Sequence, residues 1–97
     1  MPTYIALMKF TEQGIKDIKN DPQRLEQNIK ALEAIGGKLL SVYYTMGEYD
    51  MVGIAEGPSD EVAMGYLMAL GAQGNVRTTT LKAFTREEVE NIAKRLP

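Results

Sequence analysis

The sequence contains no cysteine, no histidine and no tryptophan. Without cysteine, disulfides, thiolate chemistry and cysteine-ligated metals are excluded. Without histidine, the commonest general base and the commonest metal ligand are missing, so hydrolases built on Ser-His or Cys-His pairs are excluded too. Histidine and cysteine are also axial haem ligands, which leaves tyrosine as a rare alternative. We therefore expect neither a metal nor a cofactor.

Long apolar runs and a strong charge of one sign are missing as well. The longest uncharged stretch, residues 62–76, contains three glycines and falls short of the roughly 20 apolar residues that span a bilayer. The N-terminal MPTYIALMKF lacks the basic and long apolar regions of a signal peptide. The net charge of −2, without a basic stripe, disfavours nucleic acid. The sequence predicts a cytoplasmic protein with no nucleic-acid or membrane partner.

Two periodicities divide the 97 residues, which we interpret as one domain over 1–97. Alternating apolar positions predict strands, and apolar positions three or four apart predict helices. The predicted elements are strands 3–10, 38–46, 49–56 and 75–84, helices 22–35, 59–72 and 85–96, and a short helical piece within 11–18. This order predicts an α+β, ferredoxin-like βαββαβ domain with a C-terminal helix.

Local signals support the helix ends. Asp21 is a good N-cap and Pro22 suits the first helical position. Thr85 and Glu88 have the spacing of a capping box. The helix at 59–72 is apolar nearly all round, which predicts burial on a second side, either by the C-terminal helix or by another subunit.

The stretch MGEYD, residues 46–50, separates the second and third strands. Only Gly47 and Glu48 lie between the predicted strands, which predicts a tight hairpin with a positive φ at Gly47. An aspartate at the start of the next strand can accept hydrogen bonds from backbone N–H groups. We therefore expect a structural role for Asp50 and solvent exposure for Glu48.

Alternation divides the sheet residues into two faces. The aliphatic face is expected to lie beneath the helices: Ile5, Leu7, Leu40, Val42, Val52, Ile54, Leu81 and Ala83. The other face mixes rings, methionines and hydroxyls: Tyr4, Ala6, Met8, Ser41, Tyr43, Thr45, Tyr49, Met51, Gly53, Thr78, Thr80 and Lys82. That composition predicts either a structural interface between two copies or a small-molecule pocket.

Three segments resemble the GYD-domain family: TEQGIKDIKNDPQRLEQNIKALEAIGGKL, YYTMGEYDMVGIAEGPSDE and GNVRTTTLKAFT. The family name refers to the Gly-x-Tyr-Asp that occurs here at Gly47, Tyr49 and Asp50. The resemblance covers nearly the whole chain and implies a dimeric α/β barrel, in which two ferredoxin-like protomers join their sheets. It implies no established reaction.

Three functions remain open. The first is a homodimer, or a higher oligomer, that binds a small anionic or aromatic ligand without catalysis. The second is a cofactor-independent monooxygenase- or isomerase-like enzyme acting on a small aromatic or unsaturated compound. The third is a purely structural assembly unit. The candidate ligand-binding residues are Tyr4, Ser41, Tyr43, Tyr49, Thr78, Thr80 and Lys82.

The sequence predicts specific partners for three basic residues, Lys82, Arg77 and Arg24. Lys82 either partners an anionic ligand or extends its ammonium to the rim. Arg77 is assigned to the helix-facing side, where Asp50 would be a suitable partner. The alternative for Arg24 and Arg77 is an anion site.

Overall fold

The computed structural model describes residues 1–97. Its strands are β1 (Thr3–Phe10), β2 (Lys38–Tyr44), β3 (Met51–Glu56) and β4 (Val76–Ala83). Its helices are α1 (Glu12–Lys16), α2 (Asp21–Ala34), α3 (Asp60–Ala72) and α4 (Arg86–Lys94), with a 3-10 turn at Ile18–Asn20. The strands form one antiparallel sheet in the order β2-β3-β1-β4, which confirms the ferredoxin-like prediction. No helix is both long enough and apolar enough to cross a membrane.

The link between β2 and β3 is longer than predicted. The strands end at Tyr44 and resume at Met51, so six residues separate them instead of two. The Asp50 amide donates to the Met8 carbonyl of β1, and the Thr45 amide donates to the Asp50 carbonyl. Gly47 has a φ of 109°, which confirms the predicted turn conformation.

Helix α2 begins one residue earlier than predicted, and Asp21 is not its N-cap. Asn20 holds the cap position without a side-chain cap bond. The Asp21 carboxylate instead accepts hydrogen bonds from Tyr44 and Arg24. The N-cap prediction was wrong because the Asp21 carboxylate binds side chains, including the distant Tyr44, instead of the backbone N–H groups at the start of the helix.

The assignment of the two sheet faces was also wrong for β1, β3 and β4. The helices α2 and α3 cover the face that carries the small, hydroxyl and methionine residues, which we call the covered face: Tyr4, Ala6, Met8, Leu39, Val42, Met51, Gly53, Ala55, Val76, Thr78 and Thr80. No helix packs extensively on the aliphatic side. We call it the open face: Ile5, Leu7, Ser41, Tyr43, Val52, Ile54, Thr79 and Leu81.

Side-chain size explains the reversal. The helices bring large residues to the sheet, including Leu25, Leu32 and Leu67. They fit above small strand residues such as Ala6 and Gly53, which pair directly across β1 and β3. Close packing between layers depends on this complementarity of volume as well as on hydrophobicity.

A bulge in β2 mixes the two predicted faces further. The register with β3 shifts between Leu39 and Ser41, so Leu40 is the extra residue of the bulge. Beyond it, Val42 lies on the covered face, whereas Ser41 and Tyr43 lie on the open one. Because of this extra residue, Val42 lies beneath the helices and Ser41 and Tyr43 lie away from them, as predicted for these three residues. However, Ser41 and Tyr43 do not share a face with Tyr4 as the sequence grouping had it.

Helix α4 extends away from the sheet and does not cover α3. It packs extensively against no other element, and Met68 on α3 remains 67% exposed. The predicted coverage of α3 by the C-terminal helix was therefore wrong. The capping box of Thr85 and Glu88 is confirmed. That box and the local i→i−4 bonds stabilise α4. Its apolar residues Val89 and Ile92 are exposed, as is Leu96 just beyond its end.

Gly14 permits a close approach between α1 and the chain before β4. A Cβ added at Gly14 would overlap the Asn75 carbonyl oxygen. Thr11 binds the same segment, because its amide donates to the Asn75 carbonyl and its hydroxyl donates to the Gly74 carbonyl. The backbone contact therefore needs a residue without a side chain.

We expect Gly14→Ala to lower the free energy of unfolding by about 1–3 kcal/mol, as overpacking does in tight contacts. Gly65→Ala is the matched control, because Gly65 lies inside α3 and a Cβ added there would meet no other atom within 4 Å. That change should be neutral or stabilising, since alanine favours the helix. Urea denaturation of both variants measures the difference, and equal stabilities would contradict the packing role.

Candidate functional site

A cavity of about 120 Å³ lies between the covered face and the helices α2 and α3. Its walls are mostly apolar, and the helices contribute Leu25, Ile29, Leu32, Val62, Ala63, Tyr66, Leu67 and Leu70. The strands contribute the floor, including Tyr4, Thr78 and Thr80. The layers are therefore incompletely filled, and the space resembles in size an engineered apolar cavity of about 150 Å³ that takes benzene.

Two polar atoms of the lining residues lack a partner within the chain. The Arg24 Nε and the Thr80 hydroxyl oxygen are both buried and make no hydrogen bond. A buried hydroxyl without a partner costs about 1–3 kcal/mol. Both atoms are covered by neighbouring protein atoms, so neither faces the open space of the cavity.

A polar cluster lies beside the cavity at the start of α3. The Tyr4 hydroxyl donates to one Asp60 carboxylate oxygen at 2.5 Å, and the Lys82 ammonium donates to the other at 3.0 Å. The hydrogen bond to Asp60 raises the pKa of Tyr4 to about 12. The same bond, followed by that from Lys82, lowers the pKa of Asp60. Tyr4 also lines the cavity, so this cluster lies at the cavity's edge.

A second polar cluster closes the other side of the layer between α2 and β2. Asp21 is only 5% exposed, and it accepts from the Tyr44 hydroxyl at 2.5 Å and from Arg24 at 3.1 Å. Arg24 also donates to Asp17 at 2.6 Å. Burial, followed by the hydrogen bond to Asp21, raises the pKa of Tyr44 to about 12.

The structure brings together some of the seven predicted ligand-binding residues and separates others. Tyr4, Thr78 and Thr80 line the cavity, and Lys82 lies in the adjoining groove with Tyr4 and Thr80. Ser41 and Tyr43 lie on the open face, and Tyr43 is 63% exposed.

Tyr49 lies apart from the cavity as well. Its ring lies beneath the Lys9 ammonium, 5.3 Å from nitrogen to ring centre. It is absent from the cavity lining, so its predicted role in ligand binding stays a prediction.

The residues of the Gly-x-Tyr-Asp corner contact the neighbouring strand β1. The Asp50 carboxylate accepts a hydrogen bond from the Phe10 amide at 2.9 Å, which is the predicted kind of partner. Glu48 is exposed, as predicted, and lies 3.8 Å from the Lys9 ammonium. Arg77 is exposed and forms no ion pair, so the expected pairing with Asp50 was wrong.

We expect Asp50→Ala to lower the free energy of unfolding by about 1–3 kcal/mol, because the part-buried Phe10 amide loses its acceptor. Glu48→Ala is the control and should change stability by less than about 0.5 kcal/mol, as exposed substitutions do. Thermal denaturation of both variants measures the contrast. An unchanged melting temperature for Asp50→Ala would argue against a structural role.

The sequence did not predict the contacts of two carboxylates in these clusters, those of Asp21 and Asp60. Asp21 precedes Pro22, a pattern typical of a helix start, and nothing local indicates the distant Tyr44. Asp60 follows the N-cap Ser59 and is one of several acidic residues at helix starts. The sequence signal that could have indicated the Asp60–Tyr4 contact is the apolar stripe of α3. This stripe packs α3 on the sheet and so places Asp60 next to Tyr4.

The two polar clusters are better suited to stabilising the fold than to transferring protons. A tyrosine with a pKa near 12 keeps its proton at neutral pH and would be a poor general base. No group of three or more carboxylates is placed to hold a metal ion. The chemistry that the cavity offers is mainly apolar contact.

Fold and site together define a small α+β, ferredoxin-like domain with a cavity between its two layers. The family model of the GYD domain matches residues 4–93. The chain belongs to the GYD domain family.

Relatives of known sequence or structure agree with this assignment. A protein from Thermus thermophilus named "Glutamine synthetase and cystathionine beta-lyase binding protein" is 30% identical over 84 residues, which are 86% of this chain and 88% of that protein. A crystal structure from Thermus thermophilus matches with a TM-score of 0.54 at 23% identity, covering 88% of this chain and 95% of the other. A hypothetical protein from Pyrococcus horikoshii matches with a TM-score of 0.57 at 17% identity, covering 89% and 93%. The two structures support the fold alone.

Proposed function

We propose that the protein is a non-catalytic homodimeric binding domain that holds a small molecule in the cavity of each protomer. The observation that carries this proposal is the mostly apolar cavity between the sheet and the helices α2 and α3. Cavities of this kind, apolar with few polar groups, are typical of small-molecule sites. We further propose that residues 1–97 act as one domain in the cytoplasm.

The open face supports self-association. Only eight of the 97 residues are buried in a single protomer, so one copy has a small core for its length. Meanwhile Leu7, Val52 and Ile54 form an aliphatic surface on the central strands without a covering helix. Packing this surface on a second copy would build a two-sheet sandwich with a common core. This face differs from the Tyr/Met/Thr face that the sequence favoured.

Face-to-face pairing leaves the cavity available. The open and covered faces are opposite sides of one sheet, so two copies joined at the open face keep α2 and α3 outward. Each protomer would then retain its own cavity and its own Tyr4–Asp60–Lys82 cluster. Dimerisation and ligand binding are thus compatible in one assembly.

Native mass spectrometry tests both parts. We expect the protein at low micromolar concentration to have twice the protomer mass of 10.8 kDa, and a fraction to carry an additional small mass that denaturation releases. A folded monomer under these conditions would contradict the dimer. Failure to retain or take up any small molecule would contradict the cavity's function.

A second candidate function is docking on metabolic enzymes. The name of the Thermus thermophilus relative reports binding to glutamine synthetase and cystathionine beta-lyase. In this chain α4 offers a surface for such a partner, because Val89 and Ile92 are exposed and lie three residues apart on one side of the helix, and the exposed Leu96 follows just beyond its end. Biolayer interferometry against the two purified enzymes tests it, with Ile92→Asp expected to weaken the binding and Lys94→Ala as a control.

A further inference from the structure

We propose that the C-terminal helix α4 of one copy docks antiparallel on the outer side of α3 of a second copy. The outer side of α3 faces away from the sheet and consists of four exposed residues: Glu61, Met64, Met68 and Ala72. The docking side of α4 carries Val89 and Ile92, which are exposed in a single protomer. This inference goes beyond the proposed function, because it concerns a second contact between copies, outside the open face.

Helix α4 is too short to be stable without a surface to pack on. It has nine residues, Arg86–Lys94, and isolated helices shorter than about 12–15 residues are marginal in water. It packs extensively against no other element of its own chain. The radius of gyration of 14.8 Å exceeds the roughly 13 Å of a compact domain of about 100 residues, as expected for a chain with a projecting helix. The stability of α4 therefore depends on a surface outside its own protomer.

The outer side of α3 is an apolar surface that also has no covering element. No charged residue occurs between Glu61 and Arg77, so α3 is uncharged on every side after its first turn. A helix of this kind is normally buried on more than one side. The sequence predicts coverage either by the C-terminal helix or by another subunit, and the C-terminal helix of another subunit meets both descriptions.

The charges at the helix ends fix the orientation of the docked helix. Glu61 at the start of α3 is exposed and forms no ion pair, and the same is true of Lys94 and Arg95 at the end of α4. An antiparallel arrangement brings these two basic residues to Glu61. A parallel arrangement would bring the acidic first turn of α4, Glu87 and Glu88, to the same carboxylate. Opposite charges attract and like charges repel, so the antiparallel arrangement is favoured.

The spacing of the residues on the two helices fits the same orientation. The antiparallel register pairs three positions: Met68 with Val89, Met64 with Ile92 and Glu61 with Arg95. The residues on α3 span about 10.5 Å along the helix axis and those on α4 about 9 Å, at 1.5 Å per residue. Methionine side chains are flexible enough to accommodate this difference.

This contact joins open-face dimers into a larger assembly. The helices of the covered face point outward in such a dimer, so the outer side of α3 stays accessible. When two copies exchange their α4 helices, the contact is reciprocal and closed, and two dimers form a tetramer. Two apolar residues a side are far fewer than the roughly 20–30 residues a side of a standard interface. The step from dimer to tetramer is therefore weaker than the pairing of open faces.

Sedimentation equilibrium from about 10 µM to about 1 mM, a range suited to weak interfaces, tests the assembly. We expect the mean mass to rise from twice to four times the protomer mass of 10.8 kDa. Ile92→Asp places a charge in the apolar contact and should weaken the dimer-to-tetramer step at least about tenfold. Asn91→Asp is the matched control, because it adds the same charge on the polar side of α4 and should weaken the step by less than about twofold.

A charge exchange tests the orientation. Arg95→Glu and Glu61→Lys should each weaken the tetramer about three- to tenfold, because each places like charges opposite one another in both reciprocal contacts. The double variant restores opposite charges and should return to within about twofold of the unmodified protein. Damage to the two helix ends would add up in the double variant, so its recovery identifies a direct contact.

Disulfide trapping tests the register, and the absence of cysteine from the chain makes it specific. Met64→Cys protein mixed with Ile92→Cys protein and exposed to a mild oxidant should form a disulfide-linked pair of the two variants. Met46→Cys is the control partner for Ile92→Cys, because Met46 is fully exposed in the link between β2 and β3. That mixture should form markedly less cross-linked product.

The outcomes decide this inference separately from the proposed function. A protein that remains a dimer up to about 1 mM leaves α4 to a different protein and contradicts docking on a second copy, while the open-face dimer and ligand uptake still stand. A tetramer that withstands Ile92→Asp assembles through another surface, which also overturns the inference. A double charge variant that does not recover contradicts the antiparallel orientation.

Discussion

Leu7→Asp should dissociate the proposed homodimer while leaving each protomer folded. Leu7 lies on the central strand β1, on the open face, where it pairs with Val52 and Thr79. A two-fold axis would place the new carboxylate in the interface twice, and a buried charge without a counter-charge is strongly unfavourable. We expect the dimer to weaken at least about 100-fold, or about 2.8 kcal/mol. Sedimentation equilibrium over a range of concentrations measures this change.

Met68→Asp provides the control for that experiment. It adds the same charge in place of an apolar side chain that is 67% exposed on α3, away from the open face. The dimer constant should therefore stay unchanged. If Met68→Asp dissociates the protein and Leu7→Asp does not, the copies join through the helices and the open face is not the interface.

Asp21→Ala should destabilise the fold by about 3–5 kcal/mol, the range found when one partner of a buried ion pair is removed. The change leaves the Tyr44 hydroxyl and one Arg24 nitrogen without their acceptor. Both groups lie between α2 and β2, so the variant should loosen the contact between the helix layer and the sheet. Guanidinium denaturation of the ligand-free protein measures the loss.

Asp17→Ala tests whether burial or contact distance decides this energy. Asp17 and Asp21 bind the same guanidinium, and the Asp17 contact is shorter, at 2.6 Å against 3.1 Å. Yet the Asp17 side chain is 54% exposed and that of Asp21 only 7%. Exposed ion pairs contribute about 0–1 kcal/mol, so Asp17→Ala should change the free energy of unfolding by at most about that amount. Equal losses in the two variants would contradict the role of burial.

Element order was predictable because each element depends on neighbouring residues. The stripe of α2, the capping box at Thr85 and Glu88, and the positive φ at Gly47 are local properties. Each carries its own signal in the sequence. The order of the elements predicted the ferredoxin-like arrangement, which the strand order of the sheet confirms, and the family model confirms the GYD resemblance.

Which sheet face the helices cover was not predictable from hydrophobicity alone. Both faces are apolar, so the difference lies in volume: Ala6 and Gly53 leave room for helix residues, whereas Ile5 and Ile54 on the other side do not. Alternation within one strand is local, but the relation between strands depends on register. The bulge near Leu40 changed that register in β2.

The candidate site was predictable only in part for the same reason. Tyr4, Thr78 and Thr80 lie on strands that pair without interruption, so alternation grouped them correctly. Ser41 and Tyr43 lie beyond the bulge and were grouped wrongly. The partners of Asp21 and Asp60 come from distant elements, and no local pattern indicates such contacts.

The bulge in β2 also limits how copies of this protein can associate. β2 is an edge strand of the sheet, and a flat edge strand offers its free N–H and C=O groups as a template for another chain. The extra residue between Leu39 and Ser41 bends the strand and interrupts the even spacing of those groups. An incoming strand could therefore pair with only part of this edge. Growth into fibrils by adding strands to this edge of the sheet is therefore disfavoured. This holds even at protein concentrations at which two copies pair through their open faces.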